Sequence, residues 1–309
     1  MSIAVIIPTY RRSQDLARCL EALQNQTRLA DEVIVVIRDT DTETWSFLAA
    51  FNPKQLALRT AKVRVTGVVA AMNTGLDAAT SDIVAFTDDD AAPHKDWLAR
   101  IESHYLTNEH VGAVGGRDWV YHGHDLEDGS SKTVGQVSWF GRVIGNHHIG
   151  TGEAREVDVL KGVNMSFRRA AIGEWRFDKR MKGTGAQVHF ELAFSLKLKR
   201  AGWKLIYDPQ IAVNHYPAKR FDEDQRRSFN KIAFANAVHN ETLALLEYFS
   251  PFQKLAFLFW AITVGTREAM GFIQWLRFLP SEGLLAGRKL LASWHGRWQG
   301  LQTWLTVNI

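Results

Sequence analysis

The chain has 309 residues, of which 46% are hydrophobic and 23% charged. That is enough apolar material for one large domain, or one domain with a long appendage, and it excludes a disordered chain. The formal net charge of +4 is a small excess that does not demand a nucleic-acid partner. Cys19 is the only cysteine, so no intramolecular disulfide can form, which fits a reducing compartment. It falls in an apolar pattern with Leu16, Leu20 and Leu23 and reads as a buried structural thiol.

The first 120 residues alternate strand and helix. Residues 3–7 are an unbroken apolar run followed by Pro8, as in a strand buried on both faces. No basic stretch leads into an apolar segment there, so no signal peptide is expected, and the expected location is the cytoplasm. Residues 13–26 read as a helix with Ser13 as N-cap and Leu16, Leu20 and Leu23 on one face. A second buried strand follows over 32–37, then a helix over 43–51 that stops at Asn52-Pro53. A weak third strand lies over 56–65, a helix over 68–79 and a fourth strand over 83–86. This alternation predicts an α/β fold with a mostly parallel sheet. Residues 112–116, with three glycines, read as a strand with close backbone approach. Residues 123–152, rich in Gly, His and Ser, read as a long functional loop. A helix is expected over 186–201, ended by Gly202, and a short strand over 204–207, before Pro209. From about 221 the chain is mostly helical, with a long pattern from Arg226 to 248 and a break at Ser250-Pro251. There are no internal repeats.

Three consecutive aspartates, Asp88, Asp89 and Asp90, stand where the fourth strand runs out. Carboxylates this close repel, and each raises its neighbour's pKa. A divalent cation, a hard acid that takes oxygen ligands, removes the conflict. Asp88 and Asp90 form an Asp-x-Asp pair able to grip a metal that two phosphates also hold. The alternative is a turn whose acids cap a helix beginning near His94. In open parallel sheets, ligands bind beyond the carboxyl ends of the strands, where strand order reverses. The first strand ends at Pro8-Thr9-Tyr10-Arg11-Arg12 and the second at Arg38-Asp39-Thr40-Asp41. A nucleotide fits these two ends, with Asp39 accepting from a base or ribose and the Thr9 region lining the base pocket. Asn73 and Gly75 lie near the next connection, in reach of the ribose or sugar.

Several segments in order, each weak alone, carry a resemblance. They are Ile6-Ile7-Pro8-Thr9-Tyr10-Arg11, the run from Asp31 to Val36 ahead of Asp39, Ala71-Met72-Asn73-Thr74-Gly75-Leu76, and the run from Ile83 to Asp90 continuing through Pro93 to Asp96-Trp97-Leu98. Further on come Gly162-Val163-Asn164-Met165-Ser166-Phe167-Arg168-Arg169, Arg176-Phe177-Asp178, Ala201-Gly202-Trp203, Tyr207-Asp208-Pro209 and His215. Over roughly the first 217 residues the chain resembles the inverting family 2 glycosyltransferases of GT-A fold. The resemblance implies a nucleoside-diphosphate-sugar donor and a bound Mn²⁺ or Mg²⁺. Asp88 and Asp90 match the metal pair, with Asp90 the direct ligand, and His215 matches a histidine that completes the metal shell. Asp89 would face the donor sugar or ribose, beside donor contacts from Pro8, Thr9, Tyr10 and Arg11, and Asn164 falls in the acceptor-side segment. A catalytic domain is expected over 1–220, its donor part to about 117 and its acceptor part beyond, followed by a helical extension over 221–309.

One departure concerns the base. The family usually carries Glu-Asp, a spacer, then an acidic residue and Leu, with the Asp as base. Residues 185–192 here read Gly-Ala-Gln-Val-His-Phe-Glu-Leu, so His189 occupies the place of the base and Glu191 the later acidic position. A histidine has a suitable ordinary pKa, whereas a glutamate needs its own raised by burial or negative neighbours. Glu191 ranks ahead of His189 as base, with His189 an acceptor contact in either case. The expected chemistry is one direct displacement at the anomeric carbon, which inverts it. The glycine-rich stretch 141–152 is a candidate lid, and its His147-His148 pair reads as polar loop surface or an acceptor contact ahead of a metal site.

Residues 251–309 hold five of the eleven tryptophans and six Lys or Arg against two Glu. Aromatic and cationic residues interleaved on helices suit an anionic membrane surface. The longest uncharged run, 255–266, is well short of the roughly 20 residues that span a bilayer. Helices lying in the interface are therefore expected, on the cytoplasmic face of a membrane. The alternative is that they cover the catalytic domain or form a homodimer contact. The acceptor expected is a saccharide or lipid-linked hydroxyl, in polysaccharide or glycolipid synthesis. A sugar-phosphate nucleotidyltransferase would want a glycine-rich phosphate loop after the first strand, which Pro8-Thr9-Tyr10-Arg11 does not offer. An Asp-x-Asp phosphatase would want Thr or Val soon after the second Asp, where this chain has Ala91-Ala92. A degenerate domain that only binds a nucleotide sugar or membrane is supported solely by the altered base motif.

Overall fold

The alternating apolar runs of the first hundred residues become a wound sheet covered on both faces. The structure, a computed structural model, describes residues 1–224 and 228–308. In chain order the elements are β1 (Ile3–Thr9), α1 (Ser13–Gln24), β2 (Glu32–Arg38), α2 (Thr42–Ala50), β3 (Leu58–Val63), α3 (Val68–Ala78) and β4 (Ile83–Thr87). There follow β5 (Ala91–Pro93), α4 (Trp97–Thr107), β6 (Val111–His122), β7 (Asp125–Leu126), β8 (Gln136–Val137), β9 (Val143–Ile144), β10 (Arg155–Glu156), β11 (Asn164–Arg168) and α5 (Arg169–Ile172). The last are α6 (Phe190–Arg200), β12 (Lys204–His215), α7 (Lys231–Tyr248), α8 (Pro251–Thr263), α9 (Phe272–Glu282) and α10 (Leu284–Asn308).

The main sheet runs in the order β10-β12-β6-β11-β4-β1-β2-β3. From β1 the chain winds outward through β2 and β3, then crosses back to β4 on β1's other side. All of these pairs are parallel. The strand order therefore reverses between β1 and β4, which opens a crevice at their carboxyl ends. β11 enters antiparallel between β4 and β6, and β12 lies parallel to β6.

Side chains alternate between the faces of a strand, so each apolar run feeds two cores. Ala4, Ile6, Ile34, Val36, Val84 and Phe86 face one, with α3 and α6 packed over them. Ile3, Val5, Ile7, Val33, Val35, Ile37 and Ala85 face the other, together with Cys19 and the apolar sides of α1 and α4. Phe86, Phe167, Phe177 and Phe194 meet mostly edge to face in the first core, centroids 4.4–6.3 Å apart.

Four local expectations change. No helix starts near His94; Ala91–Pro93 forms β5 instead, antiparallel to the end of β12, and α4 begins at Trp97. The strand expected to stop before Pro209 continues to His215, its register shifting between Asp208 and Ala212. The irregularity tolerates a proline that cannot donate to a ladder. Gly116 faces it, where a Cβ would lie 1.8 Å from the Ile211 carbonyl. The helix expected from 186 begins at Phe190, because Gln187 and His189 both take left-handed backbone conformations. Residues 123–152 are organised by β7, β8, β9 and a 3₁₀ turn at His147–Ile149.

In the last third, Asn230 caps α7 by accepting from the Ile232 and Ala233 amides, at 3.0 and 3.2 Å. Arg226, where that helix was expected to begin, lies outside the described residues. Ser250 and Gln253 form a capping box that starts α8 after the predicted break. α10 lies against α7, joined by the buried Arg297–Glu241 ion pair at 2.6 Å. Gly296 permits this approach, since a Cβ there would sit 2.4 Å from the Ala235 carbonyl. Gly296→Val should force the helices apart and cost about 1–3 kcal/mol, read as a lower midpoint in thermal unfolding. An unchanged midpoint would mean that the contact yields freely.

Candidate active site

A cavity of about 510 Å³ opens at the carboxyl ends of β1, β2 and β4. Pro8, Thr9, Tyr10, Arg12 and Arg38 line it from the first two strand ends, and Asp88, Asp89 and Asp90 from the fourth. Lys161, Glu191, His215, Arg220, Phe221 and Asp222 contribute from later in the chain.

Strand pairing brings His215 to the acids. In the β5–β12 ladder His215 lies opposite Ala91, and the next residue, Tyr216, donates its amide to the Asp90 carbonyl at 2.9 Å. One ligand atom each from Asp88, Asp90 and His215 then falls within 4.8 Å of the other two. The His215 Nε2 is 3.5 Å from an Asp90 oxygen, and its Nδ1 is 3.5 Å from an oxygen of Asp118. Burial opposes charge on this imidazole, but Asp118 and Asp90 outweigh it and raise the group to about 9. Burial also opposes ionisation of Asp90, yet His215, Arg12 and the Ala218 amide, which donates at 2.9 Å, hold its carboxyl at about 2. Burial pushes Asp88 up, and the Asp90 charge adds to that. Asp90 Oδ1 and His215 Nδ1 are buried with no hydrogen-bond partner among the described residues. Two carboxylates that disfavour each other's charge, an imidazole and an orphaned oxygen form a donor set that fits Mn²⁺ or Mg²⁺.

Asp89 lines the cavity but is gripped by the chain: Arg12 donates to its Oδ1 at 2.7 Å and also reaches the Lys219 carbonyl at 3.0 Å. Its Oδ2 is buried with no partner among the described residues. At the other end, Arg38 lies 3.8 Å over the Tyr10 ring and pairs with Asp222 at 2.7 Å, while Phe221 meets Tyr10 edge to face at 6.4 Å. Pro8 and Thr9 stand in the lining as expected.

Several other expected contacts do not line it. Asp39 is exposed beyond the end of β2, and Arg11, with φ 57°, is exposed beside Tyr10. Asn73 does not reach toward a ribose. Both ends of its buried amide bond the Phe177 backbone, at 2.9 and 2.8 Å. Asn164 is likewise buried outside the lining, where it accepts from Trp97 Nε1 at 2.8 Å and donates to the Arg117 and Ile211 carbonyls.

Glu191 sits in the first turn of α6 and lines the cavity. Its Oε2 is buried with no partner among the described residues, and burial raises its carboxyl. His189, two residues earlier, is the N-cap residue of α6 at φ 75° and is not part of the lining. His147 is not loop surface: it is buried, 2.9 Å from the Val159 carbonyl, and burial lowers it to about 4. His148 does line the cavity, 3.2 Å from Glu127.

Sequence reasoning gave no role to Arg12, Arg38, Asp118 or Lys161. Arg12 and Arg38 were legible as cations at two strand ends. Asp118 and Lys161 carried no local signal: the β6–β12 register brings Asp118 beside His215, and Lys161, ahead of β11, reaches Asp118.

A sheet that reverses order between β1 and β4, with clustered acids at that crevice, is the doubly wound arrangement in which ligands bind beyond the strand ends. Residues 4–175 match the family model described as Glycosyl transferase family 2, and the chain belongs to that family and is a glycosyltransferase. It is 25% identical over 225 residues to the glucosyl-dolichyl phosphate glucuronosyltransferase of Haloferax volcanii, covering 70% of this chain and 69% of that one. To glycosyltransferase AglE of the same organism it is 29% identical over 236 residues, 74% of this chain and 70% of the other. Its fold is similar to S. aureus TarS 1-349, solved with UDP-GlcNAc, with a TM-score of 0.60 and 16% identity over 95% of this chain and 79% of that one. It is also similar to the mannosyltransferase PcManGT of Pyrobaculum calidifontis, solved with GDP-Man and Mn²⁺, with a TM-score of 0.57 and 18% identity over 98% of this chain and 84% of that one.

The lowered His147 makes a pH prediction. A histidine held neutral in the fold adds stability that is fully present above its ordinary value of 6.5 and is lost as pH falls through about 4. Between pH 7 and pH 4 the wild type should lose about 2–4 kcal/mol more than His147→Gln, seen in denaturant melts at both pH values. Equal losses would contradict the assignment.

Proposed function

We propose that this protein is a divalent-metal-dependent, inverting glycosyltransferase that moves a sugar from a nucleoside-diphosphate sugar to a saccharide or lipid-linked hydroxyl, in polysaccharide or glycolipid synthesis. The observation that carries this is the convergence of Asp88, Asp90 and His215 in the cavity that Glu191 also lines, its buried Oε2 having no hydrogen-bond partner among the described residues. Donor binding belongs to the part up to about 117, acceptor binding to 118–220, and the helical extension to 221–309.

Tyr10, backed by Arg38 and flanked by Phe221, is the wall for the nucleobase, and Pro8 and Thr9 extend it. Asp88, Asp90 and His215 hold the cation, which when bound stabilises negative charge developing on the leaving diphosphate. Arg12 keeps Asp89 oriented at the donor side and balances part of the acidic cluster. Glu191 takes the proton of the attacking hydroxyl. Its buried carboxylate, disfavoured as an anion, is a stronger base than an exposed glutamate. His189 then shapes the entry to α6 beside it. A carboxylate in the cavity able to act as base weighs against a domain that only binds.

The C-terminal helices support a peripheral membrane location. On α8, Phe252, Leu255, Phe259 and Ile262 are exposed at helical spacing, as are Phe272, Ile273, Leu276 and Leu279 on α9. Arg267, Arg277 and Arg288 are exposed around them. Among the described residues no helix is long and apolar enough to cross a membrane. This face suits an anionic bilayer surface.

Three experiments test these assignments. Glu191→Gln should lower kcat by about 10²–10⁴ with little change in donor binding, while His189→Ala should cost far less. The reverse order would move the base to His189. Asp90→Ala should abolish the Mn²⁺-dependent thermal stabilisation that nucleoside diphosphates confer, and its persistence would remove the metal assignment. The protein should sediment with phosphatidylglycerol vesicles and much less with phosphatidylcholine vesicles. No sedimentation with either, together with a concentration-dependent dimer, would assign the exposed face to a second copy of the chain.

A further inference from the structure

We propose that Asp118 is the positioning residue that fixes the His215 ring for the divalent cation, holding the imidazole with Nδ1 turned inward and Nε2 turned to the cation. The inference rests on the metal assignment above.

The sheet supplies the placement. In the parallel β6–β12 pair Asp118 lies opposite Val213, and His215 is two residues further along β12. Cross-strand partners share a face and successive residues alternate, so Asp118 and His215 project from the same side. The two ring nitrogens face different carboxylates. Nε2 lies 3.5 Å from Asp90 Oδ1, within the ligand cluster, and Nδ1 lies 3.5 Å from Asp118 Oδ2, outside it.

Asp118 cannot itself be a ligand or touch substrate from this position. It is fully buried, and it belongs neither to the cavity lining nor to the ligand cluster. A histidine bound through Nε2 must be neutral there and carry its proton on Nδ1. Nδ1 makes no hydrogen bond among the described residues, but Asp118 Oδ2 pairs with it at 3.5 Å, and a carboxylate that closes on Nδ1 fixes that tautomer and the ring orientation and makes the free nitrogen a better ligand. Asp118 is held for this task, because Lys161 also donates to its Oδ2 and the flanking backbone is locked in β6. A buried carboxylate is costly without partners. Both of the partners found here, Lys161 and His215, open onto the cavity, so the charge is oriented toward the site.

The test is a mutant cycle read by Mn²⁺ affinity, from the free-ion EPR signal of full-length protein titrated with Mn²⁺ alone. Asp118→Asn and His215→Ala should each weaken binding by about 10–100-fold. If Asp118 acts through His215, the double variant binds no more weakly than His215→Ala. Wild-type affinity in Asp118→Asn, or a double variant that loses the product of both factors, overturns the inference while leaving the metal site standing. Wild-type affinity in His215→Ala removes His215 from the ligand set, and this inference with it, whereas the metal assignment itself is decided by Asp90→Ala. Thermal melts check folding, and Asp118→Ser supplies the same cycle if the asparagine variant does not fold.

Discussion

Antiparallel pairing of three residues, Ala91–Pro93, with the end of β12 is the contact on which the site depends. Without it, the strand carrying Asp88, Asp89 and Asp90 would end in an isolated acidic turn. With it, a segment more than a hundred residues later delivers His215 beside Asp90 and the Ala218 amide onto the Asp90 carboxylate. The long β12 must pass Pro209 to reach that point. The shifted register opposite Gly116 lets it do so without losing its pairing to β6. Backbone hydrogen bonds thus set the geometry of a charged cluster that side chains alone would push apart.

Charge is distributed around that contact in layers. Arg12 reaches Asp89 and Asp90 from the end of β1, and His215 stands between Asp90 and Asp118. Lys161 pairs with the same Asp118 oxygen that faces His215. Asp89, Asp90 and Asp118 each have an ion-pair partner among these residues, while burial and the Asp90 charge disfavour ionisation of Asp88. A divalent cation relieves that imbalance more directly than another side chain would, since it adds two positive charges at the point where the oxygens converge. Glu191 stands differently in the same cavity. It is raised by burial, which suits a group that accepts a proton better than one that stays charged.

The sheet was readable because burial on both faces leaves no alternation: β1, β2 and β4 are plain apolar runs that end in polar residues at the crevice. The same logic located Asp88, Asp90 and, by resemblance, His215. It failed where a polar side chain serves the backbone. Asn73 and Asn164 sit close to the site in sequence pattern, yet a buried amide satisfies carbonyls and N–H groups first, and theirs bond Phe177, Trp97, Arg117 and Ile211. β5 was missed because three residues ending in Pro93 have no periodicity to read. Its existence depends on a partner strand far away in the chain. Asp118 and Lys161 were invisible for the same reason. His189 and Glu191 differ in placement because α6 begins at Phe190, which leaves His189 on a left-handed cap and Glu191 in the cavity lining.

The central claim, that the acids at the end of β4 and His215 form one cation site, is tested most directly by anomalous scattering from crystals soaked with Mn²⁺ and a nucleoside diphosphate. The account predicts a manganese peak in coordination contact with Asp90 and His215, beside the diphosphate. A bound diphosphate with no manganese peak at those residues, or with the ion held elsewhere, would contradict it.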